Sequence, residues 1–307
     1  ASISNTEKKI WALQFHPEVH HTSYGNEILG NFLFEICKTT PTWTMKNFIS
    51  CEIESIRQRV KLDNVVCGLS GGVDSTVTAL ILHRAIGNQL TSIFVDNGLV
   101  RERDINDIKK IAQKEGLKIK IANAKKRFVN SLKGIKDPER KRKIIGREFA
   151  RIFEIEANKI KNAKFLAQGT LYPDRIESLS QRGPSSTIKS HNNVGGMPKN
   201  FKLNLIEPLK ELFKDEVRIL GKELGLSDDL LLKHPFPGPG FAVRIIGKVT
   251  PKSLLIVKEA DRIVVEEVEK AGIYNDMWQV FSVLLDSKSV GVNGDKRSYE
   301  KTIVIRA

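Results

Sequence analysis

Cysteine is scarce in this chain: three in 307 residues, Cys37, Cys51 and Cys67. That is too few, and too scattered, for a disulfide framework or a zinc cluster. A reducing, cytoplasmic setting is expected, with all three as small core residues. No apolar run approaches the ~18–20 residues of a membrane span. The first residues, ASISNTEKKIW, lack the basic start and apolar core of a secretory signal, and none is expected there. Acid is the minority charge, 36 Asp and Glu against 50 Lys and Arg, a formal net charge of +14. Such an excess attracts polyanions. The basic residues are spread widely, however, with short clusters only at Lys125-Lys126-Arg127 and Arg140-Lys141-Arg142-Lys143. A lysine-rich solvated surface is expected rather than a dedicated nucleic-acid or membrane face.

One further absence is specific. The stretch VVCGLSGGVDST, Val65 to Thr76, is an apolar run that enters two glycines and leaves into a helical pattern. This is the form of a phosphate-gripping loop, yet no Gly-Lys-Ser/Thr is present in it, and an acid, Asp74, stands where anions should bind. Glycines at a strand-to-helix turn let the backbone approach a ligand closely. The helix N-terminus offers free N–H groups and partial positive charge. Ser70, Ser75 and Thr76 add hydroxyl donors. A carboxylate beside phosphates is repulsive unless it caps the helix or holds a cation such as Mg2+. Asp74 therefore argues for metal-bound pyrophosphate, and the missing lysine must come from elsewhere. The plainer alternative is a glycine turn with an aspartate helix cap.

Apolar runs and helical stretches alternate around this loop. Residues 10–15 read as a strand and 26–36 as a short amphipathic helix, with Pro41 a breaker. The segment 45–60 is a helix with Phe48, Ile49, Ile53, Ile56 and Val60 near one face. NVVCGLS, TSIFVDNG, LKIKIANA and AKFLAQGT read as strands, separated by helices that Gly87 and Gly116 close and by a long helix over about 139–160. The pattern implies a parallel sheet with helices on both faces and a ligand at the carboxyl ends of the strands. Residues 172–204 break the rhythm as a long polar stretch, expected as a lid or linker. HPFPGPG (234–240) is a hinge candidate. Beyond it FAVRIIGKV, a helix near 251–271, and strands at WQVFSVLLDS and KTIVIRA suggest a small α+β module. The first ~40 residues cannot bury a core of their own, and KTIVIRA stops inside a strand pattern, so a fragment of a longer protein is expected.

SGGVDS resembles the signature of the PP-loop ATP pyrophosphatases, which split ATP into AMP and pyrophosphate. Further segments are similar to the GMP synthase family: VDNGL (95–99), KRKIIGREF (141–149), LAQGTLYPDRIES (166–178), IKSHNNVGG (188–196), EPLKELFKDEVR (207–218) and HPFPGPG. LQFHPEV (13–19) resembles the end of a class I glutamine amidotransferase domain. The resemblance implies an α/β chain of three parts. Residues 1–42 would be an amidotransferase remnant, 43–234 an adenine nucleotide alpha-hydrolase-like PP-loop domain, and 235–307 a truncated α+β dimerisation domain.

For function, the resemblance implies ATP-dependent adenylation of XMP at its C2 oxygen with release of pyrophosphate. Ammonia derived from glutamine then displaces AMP to give GMP. ATP and Mg2+ are the expected cofactors and a homodimer the expected assembly. Ser70, Gly71, Gly72, Val73, Asp74, Ser75 and Thr76 would hold the pyrophosphate, with Asp74 on the metal. Val95, Asp96 and Gly98 would lie by the adenosine, the alternative for Asp96 being a helix-entry cap. Gln168, Gly169 and Thr170 would face the same cleft. Asp174 and Glu177, at i and i+3, would face a metal or a lysine, or else form a solvated acidic turn. Lys189 and His191 in IKSHNN would supply the lysine absent from the loop; the family's usual second histidine is replaced by Asn192. Arg244 would help hold the XMP phosphate. His16 and Glu18 would be the base and orienter of a Cys-His-Glu triad, but no cysteine precedes them, so glutamine hydrolysis by this chain is not expected. Two rivals stand: a PP-loop enzyme that modifies tRNA, and a fragment that binds nucleotide without turnover.

Overall fold

The computed structural model describes residues 1–19, 21–179, 203–293 and 296–307. The chain divides into two compact units, Ala1–Asn47 and Phe48–Ala307.

The smaller unit holds an antiparallel pair, β1 (Ser2–Asn5) and β2 (Ile10–Leu13), and a helix, α1 (Gly25–Gly30), which continues as a wider π-type turn over Asn31–Ile36. The expected strand and helix are both present, the helix wound differently after Gly30. Phe15, Phe32, Leu33, Phe34 and Ile36 are exposed. Cys37 is exposed with them, and so is Cys51; only Cys67 is buried. The expectation of three core cysteines is corrected for two of them. Cys37 comes after a segment with few buried neighbours, and Cys51 lies on the outer side of its helix. Burial raises the Cys67 thiol to a pKa of about 12.

The larger unit begins within α2 (Met45–Val60), which buries Phe48, Ile56 and Val60 as its spacing demands. Five parallel strands then form one sheet. They are β3 (Asn64–Leu69), β4 (Leu90–Asp96), β5 (Ile119–Asn123), β6 (Ala163–Ala167) and β7 (Asn204–Ile206), in the order β5-β4-β3-β6-β7. Strand alternation sorts their side chains. Val66, Ile93, Val95 and Leu166 join one core with Phe153 and Ile145 of α6 (Pro138–Ala157). Val65, Cys67, Leu69, Phe94 and Phe165 are also buried, but on the other face, where α3 (Val73–Ile86) packs on β3 and β4 and against α8 (Lys214–Glu223). Both faces are covered, which is why the strands read as near-continuous apolar runs.

The remaining α-helices among the described residues are α4 (Glu102–Glu115), α5 (Lys125–Ser131), α7 (Tyr172–Leu179), α9 (Asp228–Leu231) and α10 (Pro251–Lys270). Gly87 and Gly116 close α3 and α4 with positive φ, as expected. The stretch expected to be a polar lid from 172 onward begins instead with α7; Asp174 accepts the Leu171 N–H at 3.1 Å and holds the first turn. Residues 180–202 lie outside the described residues.

FAVRIIGKV does not form a strand. Gly240–Arg244 is a 3-10 turn, and only Ile245 bridges to Leu284. Fully buried Lys141 donates to the carbonyls of Ala242 (3.1 Å) and Ile245 (2.6 Å), while Phe241 N–H reaches Leu99 O at 2.8 Å. These groups find partners without a neighbouring strand. The chain ends in a long antiparallel hairpin, β8 (Phe281–Asn293) and β9 (Lys296–Arg306), packed on α10. No described helix is long and apolar enough to cross a membrane.

Candidate active site at the glycine loop

The chain leaves β3 for β4 on one side, while β6 flanks β3 on the other. The loops after β3 and β6 therefore diverge and open a crevice at the carboxyl ends of the strands. Ser70-Gly71-Gly72 occupies it. Gly71 has φ +87°, a backbone state that side chains resist. Ser75 Oγ donates to Gly72 O at 3.1 Å and accepts from Ser70 N at 3.2 Å, with Ser70 Oγ 3.0 Å away. Thr76 Oγ1 donates to Gly72 O at 2.9 Å. The hydroxyls thus tie the loop into a closed turn. The helix N-cap is Gly72, which offers no side chain to accept the first-turn N–H groups of α3. Those donors are left for an anion.

Asp74 does not cap the helix. Its carboxylate receives the ammonium of Lys214, the first residue of α8. A cation is therefore brought to the glycine loop from 140 residues along the chain. Lys214 lies inside EPLKELFKDEVR but carries no motif of its own. The signal that could have found it is physical: a lysine in the first turn of a helix faces the positive end of the dipole and calls for an anionic partner.

The second wall is Gln168-Gly169-Thr170. An ideal Cβ at Gly169 would lie 3.2 Å from the Asp74 carbonyl carbon and 3.1 Å from Thr78 Oγ1. Glycine lets β6's loop rest on the first turn of α3. Thr170 Oγ1 donates to Glu207 Oε1 at 2.6 Å, and Gln168 N donates to Ile206 O at 3.0 Å, which joins this loop to β7. Asp174 sits just beyond, and Glu177 comes one turn later along α7.

The third wall comes after β4. The Val95 side chain belongs to the core, so only its main chain reaches the strand end. Asp96 is buried; Oδ1 accepts Gly98 N at 3.1 Å and Oδ2 pairs with Lys125 at 3.2 Å. It closes its own turn, since the N-cap of α4 is Arg101. Gly98 has φ +71°, with Lys125 packed against it.

Other expected residues fall elsewhere. Arg244 is 3% exposed; its guanidinium pairs with Asp261 at 3.0 Å and lies over Phe236 and Phe281. Burial lowers its pKa to about 10. It also lines a cavity of about 680 Å³ with Trp278 and Arg306. In the smaller unit His16 Nδ1 and Glu18 Oε1 meet at 2.9 Å, both exposed, and hydrogen bonds to the backbone and to His16 lower the Glu18 pKa. Lys189 and His191 lie outside the described residues. Among the described residues no group of three His, Cys, Asp or Glu could hold a metal ion. Asp74 alone suits Mg2+ in its commonest role, held by one or two carboxylates and completed by substrate phosphates.

Family models match in chain order: class I glutamine amidotransferase over residues 1–36, NAD synthase over 45–157, and the GMP synthase C-terminal domain over 266–307. The chain is 54% identical over 304 residues to the glutamine-hydrolysing GMP synthase of Chlorobium phaeovibrioides, covering 99% of this chain. Over nearly its whole length the chain is thus similar to glutamine-hydrolysing GMP synthases. The corresponding enzyme of a Nitratiruptor species is 55% identical over 308 aligned residues. The chain spans 59% and 60% of the lengths of these two GMP synthases. Among solved structures, the NMN synthetase of Francisella tularensis matches with a TM-score of 0.51 at 15% identity, covering 76% of this chain and 94% of that one. That likeness concerns the fold, a parallel five-stranded sheet with the glycine loop after its central strand.

Proposed function

We propose that this chain carries the ATP-using half of GMP synthesis. The C2 oxygen of XMP attacks the α-phosphorus of ATP, the bond to the β-phosphate breaks, and pyrophosphate leaves. Ammonia then attacks C2 of the adenylated XMP, and the C–O bond to AMP breaks to give GMP. The observation that carries the reading is the glycine cradle whose carboxylate, Asp74, is matched by Lys214. A departing pyrophosphate needs N–H donors and cations aimed at where its charge grows. The N-terminus of α3, Ser70, Ser75 and Lys214 offer that set. Mg2+ would be held by Asp74 and the phosphates, and would neutralise charge on the leaving group. Gln168–Thr170 and Asp96–Gly98 would flank the nucleotide. Asp174 and Glu177 are assigned to a metal or a lysine, Lys189 and His191 to the reacting phosphates, and Arg244 to XMP, from the family resemblance alone. A cytoplasmic homodimer, with glutamine-derived ammonia from an amidotransferase partner domain, completes the proposal.

The test is pyrophosphate release from ATP with Mg2+ and ammonium, with and without XMP. XMP-dependent release is the expected result. Release that ignores XMP but depends on added tRNA would replace this reading with the RNA-modifying one. ATP binding with no release under any condition would leave a nucleotide-binding module.

A further inference from the structure

The glycine loop rests on α4. An ideal Cβ at Gly71 would lie 3.3 Å from Ile108 Cδ1 and 3.4 Å from Asp104 Cβ, both on that helix. Asp104 is buried, and Asp107 stands three residues on, so two carboxylates share one side of the first turns. Behind a loop that must attract phosphate, two uncompensated negative charges are adverse. A single cation answers both. Lys233 Nζ lies 2.9 Å from Asp104 Oδ1 and 2.6 Å from Asp107 Oδ2, with its side chain only 16% exposed. The long separation in sequence, 129 and 126 residues, rules out a local helical pairing.

Lys233 also precedes the His-Pro-Phe-Pro-Gly-Pro-Gly segment. That segment and the residues from Phe241 to Glu269 grip the entry to α4 elsewhere. Phe241 N donates to Leu99 O, Arg101 pairs with Asp261 at 2.7 Å, and Arg103 with Glu269. The element that backs the loop is thus fastened to the chain from 233 to 269 by several links, of which Lys233 is the one placed behind Gly71.

We propose that Lys233 is a positioning residue for the glycine loop: it cancels the Asp104–Asp107 carboxylate pair and so keeps the loop's field attractive to polyphosphate. This rests on the reading that the loop binds the phosphates of ATP. The effect is electrostatic, so it must scale with ligand charge and fade with salt.

The test compares dissociation constants for ATP, inorganic pyrophosphate and uncharged adenosine, at low and high salt. The proteins are the unaltered chain, Lys233→Met, Lys233→Arg, Asp107→Asn and the double variant Lys233→Met/Asp107→Asn. Lys233→Met should weaken ATP and pyrophosphate about five- to tenfold at low salt and leave adenosine within about twofold. Lys233→Arg should restore binding, and the double variant should recover most of it. Asp107→Asn alone should tighten ATP by about two- to fivefold, a readout that stands even where Lys233→Met fails to fold. Equal weakening of ATP and adenosine, or no gain from Asp107→Asn, overturns the proposal. If the unaltered chain binds ATP and Lys233→Met binds it equally well, only this inference fails. If the unaltered chain binds neither ATP nor pyrophosphate, the reading of the loop itself fails and takes the inference with it.

Discussion

Lys214, at the start of α8, and Asp74, in the first turn of α3, form an ion pair across the mouth of the central strands. Both side chains remain partly open to solvent, at 46% and 32% exposure. Such a pair adds little to stability. It lies instead beside the first-turn N–H groups of α3, where the proposed function uses it. On the proposed function, the carboxylate would be available to the metal cation and the ammonium to the phosphate.

Removing the ammonium should therefore separate activity from folding. Lys214→Met is expected to slow XMP-dependent pyrophosphate release by about 10²-fold, the scale of losing one donor aimed at developing charge. Its melting temperature should stay close to that of the unaltered protein. Single-turnover release and a thermal melt check both halves. A variant that releases pyrophosphate at the normal rate would take Lys214 out of the site.

Asp261 marks the opposite case. It is 1% exposed and holds two guanidinium groups, Arg101 at 2.7 Å and Arg244 at 3.0 Å, and accepts Ser282 N at 3.2 Å. Asp261→Asn would leave Arg244 buried without its counter-charge. A loss of about 3–5 kcal/mol is expected, the scale for breaking a buried pair from one side. Denaturant unfolding measures it. A loss under about 1 kcal/mol, well short of that scale, would mean that the rings of Phe236, Phe241 and Phe281 around Arg244, not the carboxylate, carry its stabilisation.

Lys141 gives a pH dependence. Burial lowers its pKa from the ordinary lysine value of 10.5, against opposing pulls from Asp137 and Asp286. Below 10.5, down to the lowered value, the unfolded chain binds more protons at this site than the folded one. Stability from this group therefore rises with pH across that interval. Lys141→Met should abolish that rise. It should also destabilise the protein at neutral pH, since the carbonyls of Ala242 and Ile245 lose their donor, at about 1–3 kcal/mol for each buried group left unpaired. Urea midpoints of both proteins, measured from about pH 8 up to the ordinary lysine pKa, test this. Parallel slopes would refute it.

The parallel sheet, its helices and the glycine loop were legible because each rests on local rules. Buried strands read as apolar runs, α4 shows its period in Ile105, Ile108 and Ile111, and Gly87 and Gly116 stand where helices must stop. The 3-10 turn at Gly240–Arg244 was not legible. FAVRIIGKV has a strand's composition, and only Lys141, arriving from α6, supplies the donors that let it turn. The two exposed cysteines were missed because composition reports a residue's preference, not its face.

The sequence by itself determined the parallel sheet with its helices, the glycine turn after β3 and the likeness to GMP synthases, since these depend on neighbours a few residues apart and on motifs in series. Only the tertiary structure decided which charges meet. Lys214 with Asp74, Lys233 with Asp104 and Asp107, and the two arginines with Asp261 are each joined across long stretches of chain. A surface lysine and a site lysine look alike in one dimension, because what distinguishes them is the carboxylate that folding brings within reach.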